Sequence, residues 1–418
     1  LGVPCQGRYR SYNAQNMHPM SIDEQIRLLS RRCERIISES ELRAKLEKSA
    51  RTGKPLRVKL GMDPTAPDVT LGHCVPLKVV RQFQDLGHKA VLIIGDYTAR
   101  VGDPTGRNQT RKVLSGQEID ANAKTYVAQV GKILRTDPDH LEVRYNGEWL
   151  GKMGLEDIIR LAARKSVAQV LTREDFAKRY AEGVDIRLHE ILYPLLQGWD
   201  SVVIDADIEM GGSDQLFNNL VGREFQKEQG REGQCVFVTP LLVGTDGVKK
   251  MSKSLGNYVG VTDPPGGAGG MFGKIMSLPD GLMESYYRLL TDVPEEDYRT
   301  MIKEHPRDAK VRLARIIIEW LHDKQSADRA ESDFKAATHG GIPSDIPEHT
   351  VSADKDGIVT VLVNTGIVQS SSEAYRKLRE GAVKLNGNKI TDPKFRLELK
   401  EPAVLQMGSK KFVRLIPS

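Results

Sequence analysis

The segment from residue 56 to residue 96 constrains this chain more than any other. In LRVKLGMD the residues Leu56, Val58, Leu60 and Met62 alternate with their neighbours, the period-two pattern of a strand with a buried face. The period then changes. In LGHCVPLKVVRQFQDLG the residues Val75, Val79, Val80, Phe83 and Leu86 fall on one helical face, and KAVLIIGD (89–96) is an apolar run that reads as a fully buried strand. A strand, a helix and a strand within about forty residues make a right-handed βαβ unit, which requires a parallel sheet. The expected class is α/β, built on a Rossmann-like parallel sheet.

In such sheets ligands sit at the carboxyl ends of the strands, where helix N-termini offer unpaired backbone N–H groups to anions. Gly61 to His73 and Asp96 to Arg111 both fall there. Further along, SVVIDADIEMGGSDQ ends a strand in a glycine pair and a helix start. QCVFVTPLLVGTDGVKKMSKSLGN ends another in a lysine-rich loop. Both loops can reach the same crevice.

Order begins at Ser21, which has the S-x-x-E spacing of a capping box with Glu24. Residues 1–20 read as a disordered tail, and 21–260 as the Rossmann-like domain. TDPPGGAGG (262–270) is a Pro/Gly linker that opens a helical domain over 261–340, with Val311, Ala314, Ile318 and Leu321 as its apolar stripe. A second boundary lies around HGGIPSDIPEHT. Residues 341–418 read as a small α+β module, short helices followed by strands joined at NGN.

The chain has 418 residues, 39% of them hydrophobic, ample for two to four cores. Its net charge of +5 is undecided, but residues 373–418 carry eleven Lys or Arg against five acids, a skew that points to a polyanion partner. The cysteines Cys5, Cys33, Cys74 and Cys235 form no C-x-x-C pair, so neither a disulfide framework nor a zinc knuckle is signalled. No stretch approaches the eighteen or so apolar residues of a membrane span. A cytoplasmic protein with no membrane association is expected.

Two signals coincide in order: Gly72-His73 at the first helix of a nucleotide-binding fold, and KMSKS at 250–254. Alone, the first fits a cap and the second a solvated surface. Together they resemble the HIGH and KMSKS signatures of class I aminoacyl-tRNA synthetases. Within that class the resemblance is to bacterial tyrosyl-tRNA synthetases. It runs from about residue 25 to the end, on GMDPTAPDVTLGH, GDPTGR, YPLLQGWDS, GGSDQ, KMSKS and the C-terminal module. It is nearest the sub-branch with Lys, rather than Tyr, two positions before the first glycine of GMDPT.

The resemblance implies activation of L-tyrosine with ATP, then transfer to the 3′ end of tRNA(Tyr). Adenylation needs the carboxylate in line with the α-phosphate while charge on the pyrophosphate is neutralised, with no covalent enzyme intermediate. The implied agents are His73, Thr65, Thr70, Lys250 and Lys253, with Mg²⁺ bridging phosphate oxygens and no tightly bound cofactor. Gly61, Asp63, Gly72, Gly212 and Asp214 would hold ATP, Gly72 and Gly212 by leaving room for it. Thr70 stands at the first histidine position of the signature, where its hydroxyl offers one donor.

Tyr193, Gln197 and Asp200 fall at i, i+4 and i+7, so a helix presents them on one face. The resemblance places the first two at the tyrosine ammonium and Asp200 at the phenol, although Asp200 equally fits a surface pair. Asp103 is implied as a second ammonium ligand, with a plain Asp-Pro turn as the alternative. Gln215 is implied at the tyrosine end of the adenylate, with a helix N-cap as the alternative reading of the Asp214-Gln215 pair. Lys59 occupies the place of the family's phenol-contacting tyrosine. Arg107 and Arg111 match a pyrophosphate loop, or are surface charge. Arg376, Lys377, Arg379 and Lys384 would contact tRNA phosphates, or form a solvated face. The helical domain would meet the anticodon, and a homodimer is implied. A tryptophanyl-tRNA synthetase and a non-catalytic RNA-binding paralogue are the competing readings.

Overall fold

The computed structural model describes residues 20–104, 115–267, 269–338, 346–351, 356–399, 401–408 and 411–417. All but Met20 of the expected tail over residues 1–20, together with Arg107 and Arg111, lies outside the described residues. The chain divides into two compact units: one runs up to Thr262 and takes in Pro279–Thr300, and the other holds Asp263–Leu278 and Met301–Ser418.

The first unit is built on six strands: β1 (Arg35–Ile37), β2 (Arg57–Met62), β3 (Lys89–Ile94), β4 (Leu141–Tyr145), β5 (Ile208–Gly212) and β6 (Cys235–Thr239). Their order is β1-β6-β5-β2-β3-β4. All neighbours are parallel except β1, which runs antiparallel to β6. Val91, Leu92, Ile93 and Ile94 are buried, as are all five residues of β6, because helices cover both faces of a parallel sheet. The chain adds β3 and β4 on one side of β2 and returns to add β5 on the other. That reversal opens a crevice at the carboxyl end of β2.

Helix α1 (Ile22–Ser30) starts with the Ser21–Glu24 capping box that its spacing predicts. Helix α2 (Leu71–Asp85) starts at Thr70, and α3 (Gly116–Val130) at a Ser115–Glu118 box. Helices α4 (Leu188–Val203) and α5 (Leu216–Glu228) pack closely. A Cβ at Gly198 would lie 2.8 Å from Val221 Cγ1 and 3.0 Å from the Gly222 nitrogen, so only glycine permits this approach. Residues 279–300, placed by the sequence in the helical domain, pack instead with the sheet-bearing unit. They carry α6 (Met283–Leu290), and the buried Arg32 donates to the Leu289 and Thr291 carbonyls at 3.1 and 2.7 Å.

In the second unit α7 (Pro306–Leu321) buries Leu313, Ala314, Ile317, Ile318 and Leu321, with Val311 half-buried, and pairs through Arg315 with Asp328 and Glu331 of α8 (Lys324–Thr338). The C-terminal sheet takes β7 (Glu348–Val351), β8 (Val383–Leu385), β9 (Asn388–Ile390), β10 (Ala403–Met407) and β11 (Lys411–Pro417) in the order β7-β11-β10-β8-β9. Asn386 and Gly387 join β8 to β9 with φ of 46° and 83°, the positive pair a two-residue hairpin loop requires. With α9 (Ile358–Asn364) and α10 (Ser371–Arg379), the sheet encloses a core drawn from Val351 to Leu415.

Candidate active site

A cavity of about 730 Å³ opens at the carboxyl ends of β2, β3, β5 and β6, lined among others by Gly61, Ile93, Gly212 and Thr239. It brings together Thr65, Thr70, Gly72 and His73 from the approach to α2 and its first turn, Tyr193, Gln197 and Asp200 from α4, Asp214 and Gln215 after β5, and Lys250 and Lys253 from the lysine loop. Asp63 and Asp103 also line it.

The lysine loop reaches α2 because the chain beyond it is stitched to the helix start. Leu71 N–H donates to the Val259 carbonyl at 2.9 Å, and Val261 N–H to the Val69 carbonyl at 2.8 Å. The loop is shaped by Asn257, whose Oδ1 accepts from Ser252 N–H at 2.8 Å and whose Nδ2 donates to Asp246 at 2.9 Å. Lys250 Nζ donates to Asp214 Oδ2 at 2.8 Å. Lys253 Nζ donates to the Asp68 carbonyl and to the Tyr126 hydroxyl at 2.9 Å, and lies 5.2 Å from the Tyr126 ring centre.

Thr70 is the N-cap of α2, and its amide N–H donates to His73 Nδ1 at 3.1 Å. An amide can only donate, so Nδ1 is an acceptor and the proton of the neutral ring sits on Nε2. Burial, with Lys253 nearby, holds the imidazole down to about 4, so it is neutral at physiological pH. The Thr70 hydroxyl lies 2.8 Å from the same Nδ1, which makes it a partner of His73.

At the other end Asp200 is buried, 3% exposed, and accepts from Trp149 Nε1 at 2.8 Å and Asn146 Nδ2 at 3.3 Å. Burial pushes its carboxyl up to about 6 against the opposing charge of Lys59. Tyr193 donates its hydroxyl to Asp63 Oδ2 at 2.9 Å, while Asp63 Oδ1 accepts from Thr98 at 2.8 Å. Burial, with Asp63 beside it, keeps the Tyr193 phenol well above its ordinary range. Asn218 Nδ2 bridges Gln197 Oε1 at 2.9 Å and Gln215 Oε1 at 3.0 Å, and Gln215 Nε2 donates to Asp103 Oδ2 at 2.9 Å. Arg173, which is buried, stands 3.7 Å from Asp103 Oδ1.

Lys59 is placed differently from the expectation. It does not line the cavity: its Nζ, fully buried, donates to the Gln197 carbonyl at 3.0 Å, Ser201 Oγ at 2.7 Å and Glu209 Oε1 at 2.8 Å. The expected phenol contact is replaced by an internal ion pair behind α4. The glycines also separate. A Cβ at Gly61 would meet nothing within 4 Å, and one at Gly72 only ordinary contacts at 3.5 and 3.7 Å, so the protein itself leaves both positions open. At Gly212 it would meet the side-chain ends of Asp214 and Leu241 at 2.8 Å, so those two side chains would have to shift. Arg376, Lys377, Arg379 and Lys384 lie in the C-terminal module, where Lys377 donates to Glu380 at 2.7 Å, Arg376 stands 3.9 Å from it, and Arg379 and Lys384 are exposed.

A model of the class I tRNA synthetases (W and Y) matches residues 51–338, and one of the tyrosine–tRNA ligase SYY-like C-terminal domain matches 339–414. The tyrosine–tRNA ligase of Moorella thermoacetica is 49% identical over 401 residues, covering 94% of this chain and 96% of that protein. That of Deinococcus radiodurans is 47% identical over 404 residues, covering 94% and 97%. The chain belongs to the tyrosine–tRNA ligase family. A tyrosyl-tRNA synthetase of Archaeoglobus fulgidus, solved in complex with L-tyrosine, shares the fold at a TM-score of 0.61 and 24% identity, over 73% of this chain and 99% of that one.

The reaction of this tyrosine–tRNA ligase is therefore an ATP-dependent aminoacyl-tRNA synthesis, and the tryptophan-activating and non-catalytic readings fall away. Sequence reasoning missed Asn146, Trp149, Tyr126 and Arg173 at its site. Asn146 follows β4 at a strand carboxyl end, a position from which it could have been suspected. Tyr126 sits mid-helix in α3 and Arg173 outside any motif, and nothing in the local sequence marks either.

Proposed function

We propose that this cavity activates L-tyrosine by positioning and electrostatics alone. Asp200, held by Trp149 and Asn146, accepts the phenol O–H, and a substrate without that hydroxyl leaves the buried carboxylate short of a donor. Tyr193, Gln197, Asp103 and Gln215 surround the ammonium. The carboxylate then attacks the α-phosphate as its bond to pyrophosphate breaks. His73, neutral with its proton on Nε2, donates to a phosphate oxygen, and Thr65 lines the same wall. Thr70 acts by orienting that ring. Lys250 and Lys253 exchange Asp214 and Tyr126 for the departing pyrophosphate, a group that Arg107 and Arg111 would also bind. Gly61 and Gly72 leave space for ATP, Gly212 and Asp214 face its ribose, and Asp63 holds Tyr193.

Mg²⁺ would enter with the nucleotide, bridging phosphate oxygens of the triphosphate. Arg376, Lys377, Arg379 and Lys384 meet tRNA phosphates, giving affinity that falls with salt. Three functional parts suit this division of labour: a catalytic one over 21–260 joined by 279–300, a helical one from the rest of 261–340 at the anticodon, and the module of 341–418. A homodimer is supported by Leu155, Ile159, Val167 and Leu188, large apolar side chains between 58% and 81% exposed. Among the described residues no helix is long and apolar enough to cross a membrane.

The observation that carries this reading is the meeting of the α2 start, the lysine loop and the buried Asp200 in one cavity. Tyrosine-dependent ATP–pyrophosphate exchange tests it. Lys250→Ala or Lys253→Ala lowers the rate by about 10²-fold, the cost of one preorganised charge partner, with tyrosine affinity little changed. Rates near wild type in both variants would reject the assignment.

A further inference from the structure

Beside the tyrosine pocket, between α4 and the strands β2 and β5, lies a buried ion pair that the activation chemistry does not use. We propose that Lys59 is a positioning residue for amino-acid selection: paired with Glu209, it clamps α4 to the sheet and so fixes the helical face that carries Tyr193, Gln197 and Asp200. The inference rests on Asp200 as the phenol acceptor.

Lys59 and Glu209 are 0% and 1% exposed and 2.8 Å apart, on the neighbouring strands β2 and β5. Two of the Lys59 hydrogen bonds go to α4, to the carbonyl of Gln197 and the hydroxyl of Ser201. These residues are four apart, one turn on the same side of the helix, and they bracket Asp200 in sequence. Glu209 answers from below: its Oε1 takes Lys59, while Oε2 takes the Ser201 hydroxyl at 2.9 Å and the Gln234 amide. The cluster is neutral, and both Glu209 oxygens are hydrogen-bonded.

Such a pair is a poor device for stability, because desolvating two charges costs about what their attraction returns, and an apolar replacement is often neutral or better. What it supplies is direction. Next to the same cluster α4 meets α5 at the Gly198–Gly222 contact, where a Cβ at Gly222 would lie 2.7 Å from Ser201 Oγ, so a close backbone approach fixes the spacing of the helix beside the Lys59 ammonium. A hydrophobic residue at position 59 could fill the volume but could not fix the rotation of α4. A misplacement of about 1 Å at a reacting site costs about 10²-fold, and a small turn of α4 moves Gln197 and Asp200 together.

The test compares Lys59→Met/Glu209→Gln with wild type and with Asp200→Asn in ATP–pyrophosphate exchange, using tyrosine and phenylalanine as substrates, with thermal melting alongside. The double variant removes both charges, so it is expected to melt within a few degrees of wild type. Its ratio of kcat/KM for tyrosine over phenylalanine should fall about ten- to a hundredfold, mainly through a higher KM for tyrosine, with KM for ATP unchanged. A folded double variant with wild-type selectivity and tyrosine KM overturns the proposal. If Asp200→Asn also keeps its selectivity, it is the assignment of Asp200 that fails; if Asp200→Asn loses it, only the clamp fails. Should the double variant not fold, Ser201→Ala decides, because it removes one of the two helix contacts of Lys59 and leaves the charges paired. A smaller loss of selectivity in the same direction supports the clamp, and an unchanged ratio refutes it.

Discussion

Replacing Asp200 by asparagine should make the protein more stable and less selective, and the two effects can be measured separately. Burial raises the Asp200 carboxyl from 3.8 to about 6, so the folded protein binds this proton more tightly than the unfolded chain does. The favourable contribution is therefore greatest below pH 4 and is lost as pH rises through 6. Each tenfold difference in proton affinity is worth about 1.4 kcal/mol, so holding the ionised carboxylate in the fold at pH 7.5 costs about 3 kcal/mol. Asn carries no charge, but it turns an amide N–H₂ towards one of the two donors, Trp149 or Asn146, and so forfeits about 1 kcal/mol. The expected net gain at pH 7.5 is about 1–2 kcal/mol, a rise of a few degrees in Tm. At pH 4 the gain disappears. Meanwhile kcat/KM for tyrosine should fall by about 10- to 100-fold, the worth of a hydrogen bond to a charged acceptor, with phenylalanine little affected. Thermal melts at pH 4 and 7.5 and exchange assays with both amino acids are sufficient. A variant less stable than wild type at pH 7.5, or equally displaced at both pH values, would refute the electrostatic argument. Unchanged selectivity would refute the site assignment.

Thr70→Ala should lower the exchange rate by no more than about tenfold, because the backbone amide already fixes the His73 tautomer; a loss of a thousandfold in single-turnover rates would mean that the hydroxyl itself meets a phosphate. Gly72→Ala should leave Tm within about a degree, since the fold has room for the methyl, while KM for ATP rises; an unchanged KM in exchange assays would place ATP elsewhere. Removing residues 346–418 takes away a module whose core is its own, so tyrosyl-adenylate formation should persist while tRNA charging is lost; efficient charging by the truncated enzyme would show the module to be dispensable. His73 is held down to about 4, so the pH–rate profile between about 5 and 9 should contain no ionisation that disappears in His73→Asn, and the acid limb near 6 should vanish in Asp200→Asn.

The sequence by itself determined the elements whose signals are local. Alternation in residues 56–62, helical spacing after Thr70 and the apolar run to Ile94 specify a βαβ unit, because period and burial are written into consecutive residues. The i, i+4, i+7 spacing put Tyr193, Gln197 and Asp200 on one face without any knowledge of what that face meets. Residues 279–300 show the limit: their helical pattern says nothing of which unit they join, and the carbonyls of Leu289 and Thr291 find Arg32 more than 250 positions away. Lys59 was legible only as a substitution for a tyrosine. Whether its ammonium faced the ligand or Glu209 depended on strands paired across 150 positions. Asn146, Trp149 and Tyr126 acquire their roles from donors and acceptors that only folding brings within 3.3 Å. Patterns along the chain therefore fixed the elements and the faces they present. The tertiary structure decided which buried polar groups meet, because a hydrogen bond or a desolvated charge depends on distances in space that sequence spacing does not encode.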